Sequence, residues 1–379
     1  MRTFNILLLA CYAALVSAVD IETPLNSQAV DSDGFIVVFK QGVSRAAVPQ
    51  SMLQGEDVKS HRIGEFRAVT GKLNSESIQA LKDSPLVQHI ERDVKFSAKT
   101  VQSNAPWGLA RISQRNRLSS SNVNQYLYDP NGGQGISVYI MDSGINVQHE
   151  EFEGRARMGT TFYKNSFDDY GHGTHVAGIV AGKTYGVAKR AQVVSVKVLD
   201  SQGNGMTSTL LAGLDWVNRN ADKDRSIVNM SLGGPISNAL NMAIEAAVAN
   251  NTIVIAAAGN ENVDACTTSP STARGVISVA ATDINDRRSS FSNYGRCTDL
   301  FAPGSKIPSA YIGSNTEVKI MSGTSMAAPH VAGVAAMLLN REGPISPSGM
   351  LTRLTNIATK NAIWNAQGTP NLMLYERFE

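Results

Sequence analysis

A serine between small residues opens a strongly apolar stretch near the end of the chain. Ser325 lies in Gly323-Thr-Ser-Met-Ala-Ala-Pro-His330, and the apolar run that follows predicts a buried helix. In the first turn of a helix, a hydroxyl lies beside backbone N–H groups that have no helical acceptor. The position suits a nucleophile next to an anion site, but also the commoner role of a serine that caps a core helix.

A nucleophilic serine needs a base and a carboxylate that orients the base. His172 is the candidate base, because glycines flank it in Gly171-His-Gly-Thr-His175 and allow the imidazole to approach other groups closely. Asp142 is the candidate carboxylate, since it follows an apolar strand and would be partly buried there. Each also has an ordinary interpretation, as a capping histidine and a turn aspartate.

Asn260 is the candidate donor for a developing oxyanion. It follows Ala257-Ala-Gly259, and its side-chain N–H could act together with the backbone N–H of Ser325. A turn asparagine is the structural alternative. A metal site at His172 and His175 is the chemical alternative, but a third ligand and a water-activating glutamate are not evident nearby. The residues therefore favour serine chemistry over metal chemistry.

Short apolar runs rich in β-branched residues alternate with helical stretches after residue 107. Such runs predict an α/β fold with a mainly parallel sheet flanked by helices on both faces. Ligands of such sheets bind at the carboxyl ends of the strands, where polar and glycine-rich residues follow these runs. The predicted strands are 136–141, 193–199, 227–230, 253–256 and 276–280.

A separate small α+β module precedes this sheet, from residue 33 to about 96. The pattern predicts strands at 35–40, 66–70 and 87–91, and helical segments at 45–54 and 75–82. The polar segment 97–104 that follows has no pattern and predicts an exposed linker that a protease could cut.

The whole chain has 379 residues, of which 42% are hydrophobic and 17% charged, with a net charge of +2. Without a basic run, nothing indicates nucleic acid or a membrane surface as a partner. Residues 1–18 have a basic start, a short apolar core and a small-residue cut site near Ala18, which predict a secretory signal peptide. A membrane anchor is the alternative, but the apolar run is well short of the ~20 residues that a span needs. Its removal leaves Cys266 and Cys297, which in an oxidising compartment favour a disulfide over a catalytic or metal-binding role.

These segments together resemble the signature blocks of the subtilisin-like serine proteases. Asp142-Ser-Gly144, the His172 block and the Ser325 block occur in that family's order. Ser231-Leu-Gly-Gly234 and Ala257-Ala-Gly-Asn260 match its substrate-cleft and oxyanion segments. The segments that resemble the proteinase K branch are 104–112, 185–188 and 289–295. The resemblance covers about residues 107–375.

The resemblance implies a secreted serine endopeptidase in which Asp142, His172 and Ser325 form a triad and Asn260 helps to form the oxyanion hole. It assigns His330 to packing. The two cleft edges would pair with the main chain of an extended substrate, so specificity would be broad, with an apolar or aromatic residue preferred at P1. The S1 pocket would be lined by Leu232, Gly233 and residues 257–259. Leu199, Thr207 and Leu210 fall where the family builds its S4 pocket, and Thr207 replaces the aromatic residue common in close relatives. The implied substrate-binding residues are Leu199, Gly203, Gly205, Thr207, Leu210, Ser231, Leu232, Gly233, Ala257 and Gly259.

The resemblance also assigns roles to the rest of the chain. Residues 19–100 would be an inhibitory propeptide, with a boundary within 97–104, and 101–379 the catalytic domain; an attached ordinary domain is the alternative. Asp299 and the carbonyls of Arg274 and Val276 match a structural calcium site, although a plain surface aspartate remains open. The pair Cys266–Cys297 resembles a disulfide of other branches of the family.

The implied partners are protein and peptide substrates and the chain's own propeptide, acting as an intramolecular inhibitor on a monomer. The destination is extracellular, with a vacuole as the alternative, and Asn250 is a candidate glycan site. A precise processing protease is disfavoured because the pocket segments carry no acidic residue. An inactive binding module is disfavoured because every catalytic residue is present.

Overall fold

The structure, a computed structural model, describes residues 19–22, 34–93 and 100–376. The described residues fall into two units, one within residues 1–96 and one within 97–379. The predicted signal peptide, residues 1–18, lies outside the described residues, and so do residues 97–99 of the predicted linker. Within the described ranges, no helix is long and apolar enough to cross a membrane.

The first unit is a five-stranded sheet with one α-helix. The sheet order is β1-β5-β2-β4-β3, and all neighbours pair antiparallel except β1 and β5. The helix begins after Asn74, whose side chain accepts from the Ser77 N–H, and it buries Ile78 and Leu81 in the unit's core. The elements are β1 Ile21–Glu22, β2 Phe35–Phe39, β3 Gly55–Ile63, β4 Phe66–Leu73, α1 Ser75–Lys82 and β5 Val87–Arg92.

Three features of this unit differ from the sequence-based prediction, the first being the two-residue strand β1, which was not predicted. The helical segment expected at 45–54 is two short 3₁₀ helices, Arg45–Ala47 and Gln50–Leu53, with Pro49 between them. Strand β3 was not predicted at all. It lies at the sheet edge and only one of its nine residues is half-buried, so it carries no apolar alternation that the sequence could reveal.

The second unit is built on a nine-stranded sheet of order β19-β20-β16-β15-β13-β11-β8-β10-β9. All neighbours in it pair parallel except β19 and β20, which confirms the predicted α/β fold. The unit also contains three two-stranded sheets, β6-β7, β12-β14 and β17-β18. The strands of the whole unit are β6 Thr100–Ser103, β7 Gln125–Tyr128, β8 Ser137–Asp142, β9 Ala156–Thr161, β10 Gln192–Lys197, β11 Ser226–Met230, β12 Gly234–Pro235, β13 Ile253–Ala257, β14 Thr268–Ser269, β15 Ile277–Thr282, β16 Leu300–Pro303, β17 Ile307–Ala310, β18 Val318–Met321, β19 Thr359–Lys360 and β20 Leu372–Met373. Its helices are α2 Trp107–Ile112, α3 His172–Ala181, α4 Thr207–Asn220, α5 Asn238–Ala249, α6 Thr324–Glu342 and α7 Pro347–Ile357.

Helices cover both faces of this sheet, because successive strand residues point to opposite sides. In β8, Val138 and Ile140 pack in the core formed with α3 and α6, while Tyr139 and Met141 pack in the core formed with α4 and α5. Strands buried on both faces must be apolar throughout, which is why the sequence predicted β8, β10, β11, β13 and β15, whereas β9, β16, β19 and β20 were not predicted.

Part of the predicted exposed linker 97–104 is a β-strand. Residues Thr100–Ser103 form β6, which pairs antiparallel with β7. The residues of β6 alternate between half-buried and exposed, and its polar sequence gave no sign of the pairing with a strand more than twenty residues later.

Candidate active site

Asp142 and His172 meet at the carboxyl end of β8. Asp142 is the last residue of this strand and is fully buried, while His172 is the first residue of α3. The His172 Nδ1–H donates to both carboxylate oxygens of Asp142, at 2.8 and 2.9 Å. Because Nδ1 holds its proton in this bond, the neutral imidazole presents Nε2 as a free acceptor.

The backbone before α3 fixes the position of this histidine. Gly171 caps the helix in a left-handed conformation, with φ of 95°. A Cβ atom there would lie 2.5 Å from the ring of Tyr311, so only glycine fits. This explains the first glycine of the histidine block in physical terms.

Asp168 is a further residue of the site that the sequence analysis missed. Its carboxylate accepts hydrogen bonds from the hydroxyl of Ser143, from the Gly171 N–H, and from the N–H and hydroxyl of Thr174. It therefore satisfies N–H groups at the start of α3 and links that helix to the residue after Asp142. An acidic residue shortly before a predicted helix start was the available signal.

The charges around His172 change its basicity. Burial opposes protonation of the imidazole, but the adjacent carboxylate of Asp142, with a smaller contribution from Asp168, raises the net pKa of His172 above its ordinary value of 6.5. Burial instead lowers the pKa of His175 and of His330 to about 4. The Nε2 of His175 contacts the carbonyls of Ile307 and Lys319, which does not fit a metal pair with His172.

The predicted role of His172 as the base implies that kcat/KM for the peptide hydrolysis expected from the resemblance rises with pH through the pKa of His172. Below that pKa the imidazole is protonated and unable to accept a proton, so activity is lost as the pH falls. The midpoint of this acidic limb should lie above 6.5, because the His172 pKa is raised. A pH series of kcat/KM in the matured enzyme measures it, and a midpoint well below 6.5 would contradict the arrangement.

Ser325 is the second residue of α6, which begins after Gly323. Its hydroxyl donates to the carbonyl oxygen of Ser231 at 3.1 Å. Ser231 and His172 line one cleft, so the Ser325 hydroxyl is linked to this cleft through Ser231, although Ser325 is not itself among the described lining residues. In this arrangement the Ser325 hydroxyl donates to Ser231 and not to His172. Donation to His172 would require rotation about the Cα–Cβ bond of Ser325. Catalytic hydrogen bonds are often long or misaligned when no substrate is bound.

Asn260 is exposed, and its amide is oriented by the start of α6. Its Oδ1 accepts from the N–H of Thr324 at 2.8 Å and from the Thr324 hydroxyl at 2.9 Å. Because both bonds occupy Oδ1, the Nδ2–H₂ group is the part of the amide left to bind another acceptor. Thr324 also accepts from the Gly259 N–H at 3.1 Å, which joins the end of β13 to the residue before Ser325.

The cleft has a volume of about 380 Å³ and is lined by most of the predicted substrate-binding residues. Those it contains are Leu199, Gly203, Gly205, Thr207, Leu210, Ser231, Leu232 and Gly233. In the described part of the chain, Ala257 and Gly259 are not among its lining residues; Ala257 is buried at the end of β13. The lining holds no carboxylate, and Leu240 adds a further apolar side chain.

Tyr170 also lines the cleft and was not predicted. Its side chain is 42% exposed, and its ring centre is 6.5 Å from that of His172. A Cβ atom at Gly203 would lie 2.6 Å from the Tyr170 ring, so the tyrosine packs directly on one glycine edge of the cleft. No motif identified it in the sequence.

The structure confirms the disulfide between Cys266 and Cys297. Their sequence separation of 31 residues corresponds to about 3–4 kcal/mol of stabilisation in a chain-entropy description. The candidate glycan site Asn250 is exposed. Asn229, whose sequence Asn229-Met-Ser231 also has the pattern of a glycan acceptor, is fully buried.

Asp299 is half-buried and has no ion-pair partner within the described residues. Its Oδ2 accepts from the Ser278 N–H at 2.8 Å, and burial raises its pKa to about 6. The side chain of Arg274 pairs with Glu245 instead. The described residues contain no group of three or more His, Cys, Asp or Glu side chains that could hold a metal, so any cation there would rely on backbone oxygens.

Three features place this site in the class of serine hydrolases: a serine at a helix N-terminus, a histidine bound to a buried carboxylate, and a cleft at the carboxyl ends of parallel strands.

Comparison with known proteins gives the family. Residues 133–372 match the model of the Subtilase family. The chain is 40% identical to Subtilisin-like protease 2 of Pseudogymnoascus destructans over 98% of this chain and 97% of that protein, and 38% identical to Alkaline protease 1 of Aspergillus clavatus over 98% of both. The crystal structure of a cold-adapted subtilisin-like serine proteinase covers 73% of the chain with 45% identity and a TM-score of 0.69, and all of that chain is matched. The protein belongs to the subtilase family and is a serine endopeptidase.

Proposed function

We propose that the chain is a secreted endopeptidase of broad specificity, made as a zymogen that processes itself, which hydrolyses peptide bonds through an acyl-enzyme on Ser325. The observation that carries this proposal is the bond between His172 and the buried carboxylate of Asp142, in a cleft that His172 shares with Ser231, whose carbonyl accepts from the Ser325 hydroxyl. The predicted signal peptide supports secretion, and a vacuolar destination is the alternative outcome.

The chemistry follows from the positions of these groups. His172 Nε2 accepts the proton of the Ser325 hydroxyl as its oxygen attacks the substrate carbonyl carbon. Asp142 holds the imidazole in the required tautomer and stabilises its positive charge. The Asn260 Nδ2–H₂ group and the Ser325 N–H donate to the oxyanion. The proton then passes from His172 to the leaving amine, and a water molecule activated by His172 hydrolyses the ester.

The cleft lining supports an apolar or aromatic residue at P1. Leu232 and Gly233, the two predicted S1 residues that line the cleft, are uncharged, and among the described lining residues there is no carboxylate to pair with a basic side chain. Tyr170 adds an exposed aromatic surface beside His172, which suits an apolar side chain next to the cleaved bond.

A panel of peptides that differ only at P1 tests this specificity. We expect kcat/KM for phenylalanine or leucine to exceed that for arginine or lysine by at least about tenfold, since burying an unpaired charge is costly. A preference for arginine or lysine would overturn the proposal and favour a processing protease.

We propose that residues 19 to about 99 are an inhibitory propeptide removed during maturation. Their α+β unit is separate from the catalytic unit, and strand pairing in the second unit begins at Thr100. This pairing favours a cut on the amino-terminal side of β6. N-terminal sequencing of the secreted protein tests the assignment, and an intact first unit on active enzyme would contradict it.

We also propose that the Asp299 carboxylate and the carbonyls of Arg274 and Val276 hold a structural calcium ion. A half-buried carboxylate without a cationic partner fits a hard cation that prefers oxygen ligands. When bound, the ion would fix the segments around these residues and take no part in the reaction.

We expect a calcium chelator to lower the melting temperature of the matured protein, inactivated beforehand with a serine-directed phosphonyl fluoride, by about 5–10 °C. This shift corresponds to losing a bound ion whose free concentration was about 100 times its dissociation constant. Asp299→Asn should abolish this difference, because the variant lacks the charged ligand. Asp224→Asn removes an exposed aspartate elsewhere and should retain it. An equal melting temperature of the native protein with and without the chelator would contradict the calcium proposal.

A further inference from the structure

The carbonyl oxygen of Ser325 lacks its ordinary helical donor. Pro329 lies inside α6, four residues after Ser325. Any other residue at that position would donate its N–H to the Ser325 carbonyl, but proline has no N–H and its ring crowds that oxygen. A partly buried carbonyl without a donor is costly, so a donor from outside the helix is favoured.

Ser231 supplies this donor from the end of β11. Its hydroxyl donates to the Ser325 carbonyl oxygen at 2.9 Å, and it accepts from the Nδ2 of Asn229 at 2.9 Å. The amide of Asn229 occupies an acceptor site of the hydroxyl, so the hydroxyl proton is directed toward Ser325. Asn229 is fully buried and Ser231 only 2% exposed, which leaves little room for water to replace either group.

A second bond joins the same two residues in the opposite sense. The Ser325 hydroxyl donates to the Ser231 carbonyl oxygen at 3.1 Å. Both the backbone and the side chain of Ser325 are therefore held against β11. This strand lies next to β8, which ends at Asp142, so one pair of adjacent strands carries the supports of the nucleophile and of the base.

We propose that Ser231 is a positioning residue for the nucleophile. Its hydroxyl replaces the backbone N–H donor that the helix lacks at Pro329. This inference rests on the proposed role of Ser325 as the nucleophile. The hydroxyl acts on the rate of attack and not on substrate binding, because the cleft edge at Ser231 meets substrate through its backbone. Displacing a reacting group by about 1 Å can cost about 100-fold in rate.

The test is a double-mutant cycle on the full chain after maturation, with rates expressed per titrated active site. We expect Ser231→Ala to lower kcat by about 10- to 100-fold while KM changes by less than about threefold. In a Pro329→Ala background the same serine substitution should cost less than about threefold, because the restored backbone N–H at position 329 can donate to the Ser325 carbonyl.

Ser226→Ala is the matched control, since Ser226 is buried in the same strand and its hydroxyl has no partner within the described residues. It should leave kcat unchanged. The rate constant for phosphonylation of Ser325, read by mass spectrometry, should fall with Ser231→Ala by a similar factor without any need for turnover.

An unchanged kcat in Ser231→Ala would overturn the inference, and so would an equal loss in both backgrounds. A loss that appears only in KM would show a binding role instead and would also overturn it. Failure of the proposed function looks different, because the native chain itself would then neither label at Ser325 nor hydrolyse peptides.

Discussion

Replacement of Ser325 by alanine is expected to lower kcat for peptide hydrolysis by about 10⁶-fold. The magnitude is that of subtilisin, a member of the same family, and is carried over from it rather than calculated from this structure. The physical reason is the loss of the oxygen that forms the acyl-enzyme, after which the His172–Asp142 pair has no proton to accept. The N–H donors of Asn260 and residue 325 remain, so a small rate above that in water should persist.

Two measurements check this expectation. Steady-state hydrolysis of a chromogenic peptide gives kcat, and electrophoresis of the secreted chain shows whether the first unit is removed. Because maturation is proposed to be autocatalytic, Ser325→Ala should accumulate as an uncut precursor. Ser322→Ala, which changes an exposed serine three residues earlier, should mature and hydrolyse peptides normally. A Ser325→Ala variant within tenfold of the native kcat would remove this residue from the reaction.

Asn260→Ala should lower kcat by about 10²- to 10³-fold, or roughly 2.7–4 kcal/mol in the transition state, with little change in KM. This range too is that of the corresponding asparagine in subtilisin. The loss falls on kcat because the carbonyl oxygen of the substrate gains its full negative charge only in the transition state.

The geometry around Asn260 shows how to separate this effect from a structural one. The Asn260 side chain also accepts two hydrogen bonds from Thr324, so alanine removes an anchor of α6 as well as a donor. Asn260→Asp keeps the acceptor oxygen and removes the donor. It should retain a near-native melting temperature while losing at least as much kcat, since its charge also repels the oxyanion.

Asn285→Ala is the control for these substitutions, because Asn285 is an exposed asparagine in a different surface cavity. Its kcat should equal that of the native enzyme. Full activity in Asn260→Ala would show that the oxyanion is stabilised by other groups.

Five strands of the central sheet, β8, β10, β11, β13 and β15, were predictable from the sequence because burial on both faces forces apolar residues at nearly every position. The run 136–141 corresponds to β8, Ser137–Asp142, and the run 253–256 to β13, Ile253–Ala257. Runs of this kind need no knowledge of their neighbours. Edge strand β3 and the β6–β7 pair depend on partners or on solvent exposure, which a local pattern does not record.

The site was predictable for a different reason. Asp142, Ser231 and Asn260 all follow parallel strands, and the carboxyl ends of such strands share one edge of a sheet. The order of neighbours in the sheet then brings them near each other. The motifs named the residues, but only the structure shows that the hydroxyl of Ser325 rests on the carbonyl of Ser231.

Other contacts of the site could not be inferred from local sequence. Tyr170 approaches Gly203 through the fold and not through a motif. Asp168 accepts hydrogen bonds from Ser143 and from Thr174 of the His172 block, at distances in the sequence that follow no periodic rule. Both depend on side-chain packing between segments, which single-sequence patterns do not encode.

The central claim is that Ser325 is the nucleophile activated by His172. The most direct test treats the matured enzyme with a serine-directed phosphonyl fluoride and maps the modified residue by peptide mass spectrometry. We expect one phosphonyl group per chain, located on Ser325, with activity lost in proportion, and slow labelling at a pH well below the pKa of His172. Complete inhibition with Ser325 unmodified, or full activity with Ser325 modified, would contradict the account.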